Sequence, residues 1–429
     1  MPKRTHSLLF LALLLSLLLL CAACGERPEN DGPALPEDPQ IAADGDEAPI
    51  QWQEPALEAL VREKLDKPEG DIYPSELDDV TSLQILGDSH IFFNQDETSP
   101  SALWGQKEYY DLRMLDEERK PIKDGTYTVQ GREYRRGSIA SLADLAHFRN
   151  LHYLDVYKND LQDLSGLEDL PLLGVFTVDC RIHSVVDFSS LKELGLLILM
   201  SEDISDITPL AGMNSLDTLC LNENPIEDLS PVKNIPQLLS LYFRNAPVSN
   251  IQVLAEMEQL EEIILDGTQV TDLSPLDQLP NLQKLRAEHL PLSQTEWETA
   301  FTSPLGNQLK TLGLSHNQIT DIRFLADMES LETLILSETQ VTDLSPLRTL
   351  PRLRVLSLEN LAVDRLDLSP LAGLPLKELT VRQDRAALEG LSALEGMTSL
   401  KELTITPNVN LTPEDLDRLR AALPGCEIR

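Results

Sequence analysis

The chain has 429 residues, of which 42% are hydrophobic but only 5% aromatic, and 71 acidic residues against 35 basic residues give a formal net charge of -36. Nucleic acids and anionic lipid head groups are excluded as principal partners, because their recognition requires clustered Lys and Arg. A single globular core stops growing near about 250–300 residues, so a chain of this length forms several domains or a repeat solenoid.

Residues 1–23 have the features of a secretory signal peptide. Lys3 and Arg4 precede an apolar run from Leu8 to Leu20, which is short for a membrane-spanning helix. The segment Cys21-Ala22-Ala23-Cys24 resembles the lipobox of bacterial lipoproteins, although Cys21 stands where that family usually has Leu. The resemblance implies that Cys24 is the lipid-attachment residue of an exported protein on the extracellular face of a bacterial cell membrane. An ordinary cleaved signal and an N-terminal anchor are the alternatives.

Residues 24–49 are predicted to be a disordered tether rich in proline and acidic residues. Leu35 and Ile41 are its only large apolar residues, so the segment cannot bury enough surface to fold. Cleavage before Cys24 would leave 33 basic and 71 acidic residues, a formal charge of -38.

The fold is predicted by a pattern of apolar residues that repeats every 22 residues. Copies of this pattern, some with small insertions or deletions, begin at Leu151, Leu173, Leu194, Leu216, Leu238, Leu260, Leu282, Leu309, Leu331, Leu353, Leu376 and Leu400. The motif L-x-x-L-x-L-x-x-N-x-L at this period is typical of leucine-rich repeats, with one short strand and one turn per coil. We therefore predict an α/β solenoid, a leucine-rich repeat horseshoe with a parallel sheet on its concave side and short 3₁₀ turns on its convex side. About twelve coils of 22 residues occupy residues 139–410.

The alternation of a strand predicts which side chains form the core. The inward positions include Leu219, Leu241, Ile263, Leu312 and Leu334. At Leu172-Leu173 either residue can open a coil, and the register that we adopt places Phe176 and Val178 inward and Val175 and Thr177 outward.

One polar slot of each coil is suited to hydrogen-bonding the turn backbone. Asn occupies it in four coils, at Asn159, Asn224, Asn317 and Asn408, and other residue types replace Asn at Cys180, Thr268 and Thr339. Just beyond this slot, Ser274, Ser345 and Thr208 precede proline and are predicted to cap short helical turns.

The coil pattern N-x-I-x-D-I/L-x-x-L, from Leu151 to about Leu411, resembles the internalin-type repeats of bacterial surface proteins. The amphipathic segment 56–65 resembles the helix that precedes such repeats, and Thr412–Leu423 is predicted to be a capped helix. We assign residues 50–79 to a helical N-terminal cap, 80–138 to a degenerate first repeat with a long insertion, and 411–429 to a helical C-terminal cap. The resemblance implies a protein that binds another protein through its concave face. We expect a monomer without a cofactor, and without enzymatic activity because the sequence presents no constellation of acid, base and nucleophile; an enzyme within the insertion is a remote alternative.

Two segments interrupt the repeats. Residues 92–138 contain a dense share of the aromatic residues and form either a binding loop or an insertion packed on the solenoid. Within them, Thr126–Val129 and Arg132–Tyr134 flank Gln130-Gly131, which favours a hairpin. Ser293–Phe301 is predicted to be a helical turn in which Trp297 and Phe301 pack.

No catalytic or metal-binding motif is present in the sequence, and no His lies at metal-ligand spacing from another His or Cys. Aspartates recur just before the turns, at Asp163, Asp206, Asp228, Asp272, Asp321 and Asp343. A calcium ladder is one interpretation of them, and a turn-capping role is the one we favour. The spacing of Cys180, Cys220 and Cys426 predicts free thiols.

The predicted binding surface consists of side chains that point outward from the strands. They are Tyr153, Tyr157, Leu196, Ile198, Met200, Cys220, Tyr242, Arg244, Ile264, Asp266 and Arg286. An apolar centre with a charged rim is typical of protein interfaces, although the long insertion could instead cover this patch. The alternative function is an electrostatic capture module for a cationic protein, peptide or cell-wall component.

Overall fold

The computed structural model describes residues 47–88, 90–94, 126–129, 132–301, 304–405 and 410–429. The chain divides into two compact units, Met1–Val175 and Phe176–Arg429. The predicted signal peptide, Cys24, nearly all of the tether and most of the insertion lie outside the described residues. Among the helices that are described, none is both long enough and apolar enough to span a bilayer.

An α-helix in the described part of the first unit buries an apolar stripe. Helix α1, Pro55–Lys64, begins at a proline that suits the first helical turn and buries Leu57, Leu60 and Val61. It coincides with the predicted amphipathic segment 56–65.

The strands of the first unit form a short mixed sheet and a separate hairpin. Strand β1, Ser82–Leu86, pairs antiparallel with β2, His90–Phe93, and parallel with β5, Tyr153–Tyr157. Strands β3, Thr126–Val129, and β4, Arg132–Arg135, pair antiparallel. The predicted hairpin is therefore confirmed for these two strands.

Strand β6, Gly174–Val178, contains the boundary between the two units. The later strands of the second unit are, in chain order, β7 (Leu196–Met200), β8 (Thr218–Cys220), β9 (Ser240–Tyr242), β10 (Glu262–Ile264), β11 (Lys284–Arg286), β12 (Thr311–Gly313), β13 (Thr333–Ile335), β14 (Val355–Ser357), β15 (Arg365–Asp367), β16 (Glu378–Val381), β17 (Ala387–Glu389), β18 (Glu402–Ile405) and β19 (Glu427–Ile428). From β7 onward they form a parallel sheet in sequence order, apart from β15 and β17, which pair with each other.

The inward side chains of these strands form a continuous apolar core. Leu219, Leu241, Ile263, Leu312 and Leu334 are all 0% exposed, which confirms their predicted burial. Parallel strands lie about 4.8 Å apart, so each of these residues packs against its equivalents in the two neighbouring coils.

Short 3₁₀ turns connect the strands on the side opposite the sheet, as predicted. In the second unit they are Thr208–Leu210, Ser230–Asn234, Gln252–Glu256, Ser274–Gln278, Arg323–Leu325, Ser345–Thr349 and Ser369–Leu371. The described residues of this unit also form the α-helices α2 (Gln294–Phe301), α3 (Pro304–Gln308), α4 (Ser392–Glu395) and α5 (Pro413–Ala422). In α2, Trp297 and Phe301 are buried as predicted, and Thr412 caps α5.

The recurring aspartates cap the turns that follow them. An Oδ1 atom accepts a hydrogen bond of 2.8–2.9 Å from the backbone N–H two residues later in Asp163, Asp206, Asp228, Asp272, Asp321 and Asp343. The N–H and hydroxyl of Ser230 accordingly lower the pKa of Asp228. The predicted capping role of these aspartates is confirmed.

The residues that we expected to cap the turns have a different role. Thr208, Ser274 and Ser345 are the first residues of their 3₁₀ turns, and the N-cap positions are occupied by Ile207, Leu273 and Leu344. Each instead donates its backbone N–H to the preceding aspartate. The assignment of these three residues as caps was wrong, because the longer Asp side chain already satisfies the free backbone donor.

The polar residues in this slot that the structure describes hydrogen-bond buried backbone as predicted. Asn224 Nδ2 donates to the Leu199 and Leu221 carbonyls at 2.8 and 3.1 Å, and its Oδ1 accepts from Ile204 N–H at 3.2 Å. Asn317 makes the equivalent bonds. Thr268 and Thr339 donate to the carbonyl three residues earlier, whereas Asn408 lies outside the described residues.

Candidate functional site

The predicted binding residues of the second unit lie on the outward face of its parallel sheet. Ile198 pairs in register with Cys220, Cys220 with Tyr242, and Tyr242 with Ile264. Because side chains alternate between the two faces of a strand, these four residues form a row along four successive strands.

The centre of this face is an apolar patch on strands β6 to β10. We define it by six side chains, Phe176, Leu196, Ile198, Met200, Tyr242 and Ile264. Four of them are partly exposed, whereas Phe176 and Ile198 are 3% and 8% exposed. Burial, with the Glu262 carboxylate as a second cause, raises the pKa of the Tyr242 phenol. The surface of the patch thus consists of the outer atoms of side chains that are largely buried.

Strand β6 has the opposite register to the predicted one. Val175 and Thr177 are both 0% exposed, and Phe176 lies on the outward side. Asp179 N–H donates to the Met200 carbonyl at 2.9 Å, the bond that aligns the ends of successive strands throughout the second unit. The prediction that Val175 and Thr177 point outward was therefore wrong, since a shift of one residue moves every side chain to the other face.

A belt of paired charges borders the patch on β10 and β11. The Arg286 guanidinium lies 3.0 Å from Asp266 Oδ2 and 3.1 Å from Glu288 Oε1, and Lys284 Nζ lies 3.1 Å from Glu262 Oε2. Burial raises the pKa of Glu288, and the positive charge of Arg286 opposes that rise. The two cations of the belt are therefore engaged by carboxylates of the same face.

Two histidines stack at the end of strands β11 and β12. The rings of His289 and His316 are 4.2 Å apart between centroids and inclined by 9°, and His316 Nδ1 lies 3.1 Å from Glu338 Oε2. Burial and His316 lower the pKa of His289. Parallel stacked rings cannot aim their in-plane nitrogens at one metal ion. No group of three or more potential metal ligands occurs in the part of the chain that the structure describes.

Comparisons with known proteins agree with this architecture. Residues 329–373 match the family model described as Leucine Rich repeats (2 copies). The structure is similar to an internalin of Listeria monocytogenes, with a TM-score of 0.55 and 21% sequence identity over 88% of this chain and 95% of that chain. A leucine-rich repeat protein of Leptospira interrogans gives a TM-score of 0.51 and 21% identity over 69% of this chain and 82% of that chain. The fold is a leucine-rich repeat solenoid. No curated protein matches the sequence significantly.

The leucine-rich repeat sheet brings nine of the eleven predicted binding residues onto one face. They are Leu196, Ile198, Met200, Cys220, Tyr242, Arg244, Ile264, Asp266 and Arg286. Three of them are corrected to buried positions, because Ile198, Cys220 and Asp266 are only 8%, 3% and 2% exposed. Cys220 lies between two larger neighbours, Ile198 and Tyr242, and Arg286 pairs with the Asp266 carboxylate.

The other two predicted residues belong to the first unit. Tyr153 is 44% exposed, whereas Tyr157, in register with Leu86, is 4% exposed. The prediction that Tyr157 is available to a partner was therefore wrong, because a strand residue with neighbours on an adjacent strand can lose its exposure to them.

The sequence analysis missed three features of the face. Phe176 escaped because of the wrong register of β6. Leu239 is 38% exposed and lies just before its strand, where the neighbouring coils have Asp217 and Glu261. Its exposure could have been predicted from the sequence, because a leucine stands there at a position that is acidic in both neighbouring coils. The stacking of His289 on His316 could not be predicted from the repeat, because the insertion of α2 and α3 separates these residues by 27 positions along the chain instead of 22.

Cys180, Cys220 and Cys426 are free thiols in the structure. Cys180 and Cys220 are buried, and burial raises the pKa of the Cys426 thiol.

Proposed function

We propose that this chain is an exported, lipid-anchored leucine-rich repeat protein that binds a protein partner through the apolar patch. The observation that supports the binding role is the composition of β7, where Leu196, Ile198 and Met200 occupy all three outward positions. A strand face that only meets water is expected to be polar, so contiguous apolar side chains on it favour an interaction surface.

The charged belt supports the same interpretation. Interfaces combine an apolar centre with a polar rim, and Lys284, Arg286 and their carboxylate partners border the patch in that way. Leucine-rich repeats also use extended sheet faces for binding, since stacked coils align equivalent side chains in rows. The similarity to the two solved structures described above supports the fold, whereas the binding of a protein partner is our proposal.

The binding role is tested with the variant Leu196→Asp combined with Tyr242→Ala, because both side chains are partly exposed. The mature chain with an affinity tag is used to capture secreted and surface proteins, and the captured proteins are identified by mass spectrometry. The matched control, Ile335→Asp with Val355→Ala, makes the same kind of change on strands β13 and β14 of the same face. We expect the patch variant to lose a partner that the wild type and the control both retain, with all three melting at similar temperatures.

Capture of the same partners by the patch variant would contradict the proposal. A large fall in the melting temperature of the patch variant would show that the patch is core. Capture by charge without apolar contact is the alternative function, and it predicts that Leu196→Asp, which adds a negative charge, retains or strengthens the interaction.

The lipid anchor is supported by the apolar leader and by the lipobox-like segment that ends at Cys24. Cys24→Ala should abolish the incorporation of labelled fatty acid and leave the precursor uncleaved. Cys21→Ala is the matched control, because it removes the neighbouring thiol and should preserve labelling. Membrane retention and labelling of the Cys24→Ala variant at the wild-type level would refute the anchor.

A further inference from the structure

The net charge of the second unit is concentrated in the coils around the apolar patch. Residues 176–340 contain 25 acidic and 8 basic residues, a formal charge of -17, whereas residues 341–429 contain 13 and 11, a charge of -2. In residues 194–267, which include strands β7 to β10, there are 12 acidic residues against two basic residues, Lys233 and Arg244. The electrostatic field at the patch therefore favours a cationic partner.

An acidic row that contains an exposed leucine adjoins the patch. Asp217, Leu239 and Glu261 immediately precede strands β8, β9 and β10 at equivalent positions. Leu239 N–H donates to the Asp217 carbonyl, and Glu261 N–H donates to the Leu239 carbonyl, both at 2.8 Å. Leu239 is 38% exposed, and the side chains beside it on both adjacent coils are partly exposed carboxylates. Leu239 thus adds an exposed apolar side chain at the edge of the sheet, where it is flanked by negative charge.

The basic residues of the belt do not reverse this charge. Lys284 is engaged by Glu262, and Arg286 lies between Asp266 and Glu288, at distances of 3.0–3.1 Å. The belt therefore contains three carboxylates for two cations, and the excess charge is negative.

From this juxtaposition we propose that the partner presents a basic amphipathic segment. Its apolar stripe would pack on the apolar patch and Leu239, and its Lys or Arg side chains would pair with Asp217 and Glu261 at the edge. This inference rests on the proposed function and adds the chemistry of the partner. The five strands β6 to β10 extend about 19 Å between the first and the last, which corresponds to roughly 13 helical residues. An acidic segment or an anionic membrane surface would instead meet charge of its own sign.

The test uses a fluorescein-labelled 18-residue peptide of leucine and lysine with a helical apolar stripe. The matched peptides replace every lysine by glutamate or every leucine by serine. Binding to the mature chain with Cys24→Ala is followed by fluorescence anisotropy at low and at physiological salt. We expect the Leu/Lys peptide to bind, its affinity to fall at least tenfold with added salt, and both matched peptides to bind at least tenfold more weakly.

Two pairs of variants locate the contact. Asp217→Asn with Glu261→Gln removes two charges at the edge, and Glu227→Gln with Glu256→Gln removes two exposed charges on the turn side. We expect the edge pair to weaken binding of the Leu/Lys peptide at least tenfold and the turn pair to leave it within about twofold. Equal losses in the two pairs would overturn the inference, because binding would then depend on total charge only.

The apolar contact is tested by Leu239→Asp, which adds a negative charge. Tighter binding of the Leu/Lys peptide to this variant would overturn the amphipathic contact, whereas weaker binding with an unchanged melting temperature supports it. Failure of the peptide to bind the wild-type chain would also overturn this inference. The proposed function would then still be judged by the capture experiment with Leu196→Asp and Tyr242→Ala.

Discussion

Replacing Glu202 with glutamine should stabilise the protein at neutral pH. Glu202 occupies the slot that Asn224 fills in the next coil, and it is 3% exposed. Its Oε2 accepts hydrogen bonds from Cys180 N–H at 2.8 Å and Ile182 N–H at 3.1 Å, whereas its Oε1 has no hydrogen-bond partner among the described residues. An ionised carboxylate in that place would be costly, because burial removes it from water without a compensating cation.

The size of the effect follows from the pKa of this carboxyl group. Burial raises the pKa of Glu202 to about 8 from an ordinary value of 4.5, although the two N–H donors and the Thr177 hydroxyl oppose the rise. The folded chain therefore binds a proton that the unfolded chain releases, and the stabilisation present below pH 4.5 is lost as the pH rises to about 8. One pKa unit corresponds to about 1.4 kcal/mol, so the total loss is about 5 kcal/mol, of which about 3 kcal/mol is lost by pH 7.

A glutamine at this position keeps the hydrogen bonds without the ionisation. Gln383 already fills the equivalent slot of a later coil and donates to the Leu358 carbonyl at 2.6 Å. The free energy of unfolding, measured by urea denaturation from pH 4.5 to 8.5, should be nearly equal for Glu202→Gln and wild type at the acidic end. The variant should be more stable by about 3 kcal/mol at pH 7.

Glu227→Gln serves as the control, because Glu227 is exposed on a neighbouring coil. Its difference from wild type should stay within about 0.5 kcal/mol at every pH. A difference between Glu202→Gln and wild type that does not change between pH 5 and 8 would refute the reasoning, since the buried carboxyl would then ionise at its ordinary pKa.

Three further predictions concern the core, the turns and the histidine pair. Leu241→Ala should lower the free energy of unfolding by about 2–5 kcal/mol, whereas Ser240→Ala on the outward face of the same strand should change it by less than about 0.5 kcal/mol; equal losses would contradict the assigned faces. Asp272→Ala should cost about 0.5–2 kcal/mol through the lost turn cap, and added calcium should leave the melting temperature of the wild type unchanged; a rise would restore the calcium ladder. In an NMR titration the imidazole of His289 should have its midpoint below the ordinary pKa of 6.5, and His316→Gln should raise that midpoint, since His316 is one of the causes of the lowered pKa. An unchanged midpoint would show that the stacked rings do not interact electrostatically.

The repeat architecture could be predicted from the sequence because the same pattern of apolar residues recurs in every coil. Leu219 and Leu241 stand in equivalent positions 22 residues apart, and an inward strand position tolerates little besides an apolar side chain. The capping role of the turn aspartates could also be predicted, because an Asp accepts a hydrogen bond from the backbone N–H two residues later within its own coil.

The details of the outward sheet face were decided by contacts between coils. Sequence pattern left two registers for β6, and the choice that places Thr177 inward depends on the backbone alignment of Asp179 with Met200 in the next coil. The burial of Glu202 could not be predicted from the pattern of apolar residues either. The N–H groups that its carboxylate binds belong to the preceding coil.

Exposure and charge pairing on the sheet face also required the tertiary structure. An outward side chain loses or keeps its exposure according to the size of its neighbours on the two adjacent strands, and these neighbours are about 22 residues away along the chain. Cys220 is buried between Ile198 and Tyr242 for this reason, and Asp266 is buried where Arg286 pairs with it. The sequence by itself therefore determined which residues face the sheet surface in most coils, and only the stacking of coils decided which of them a partner can reach.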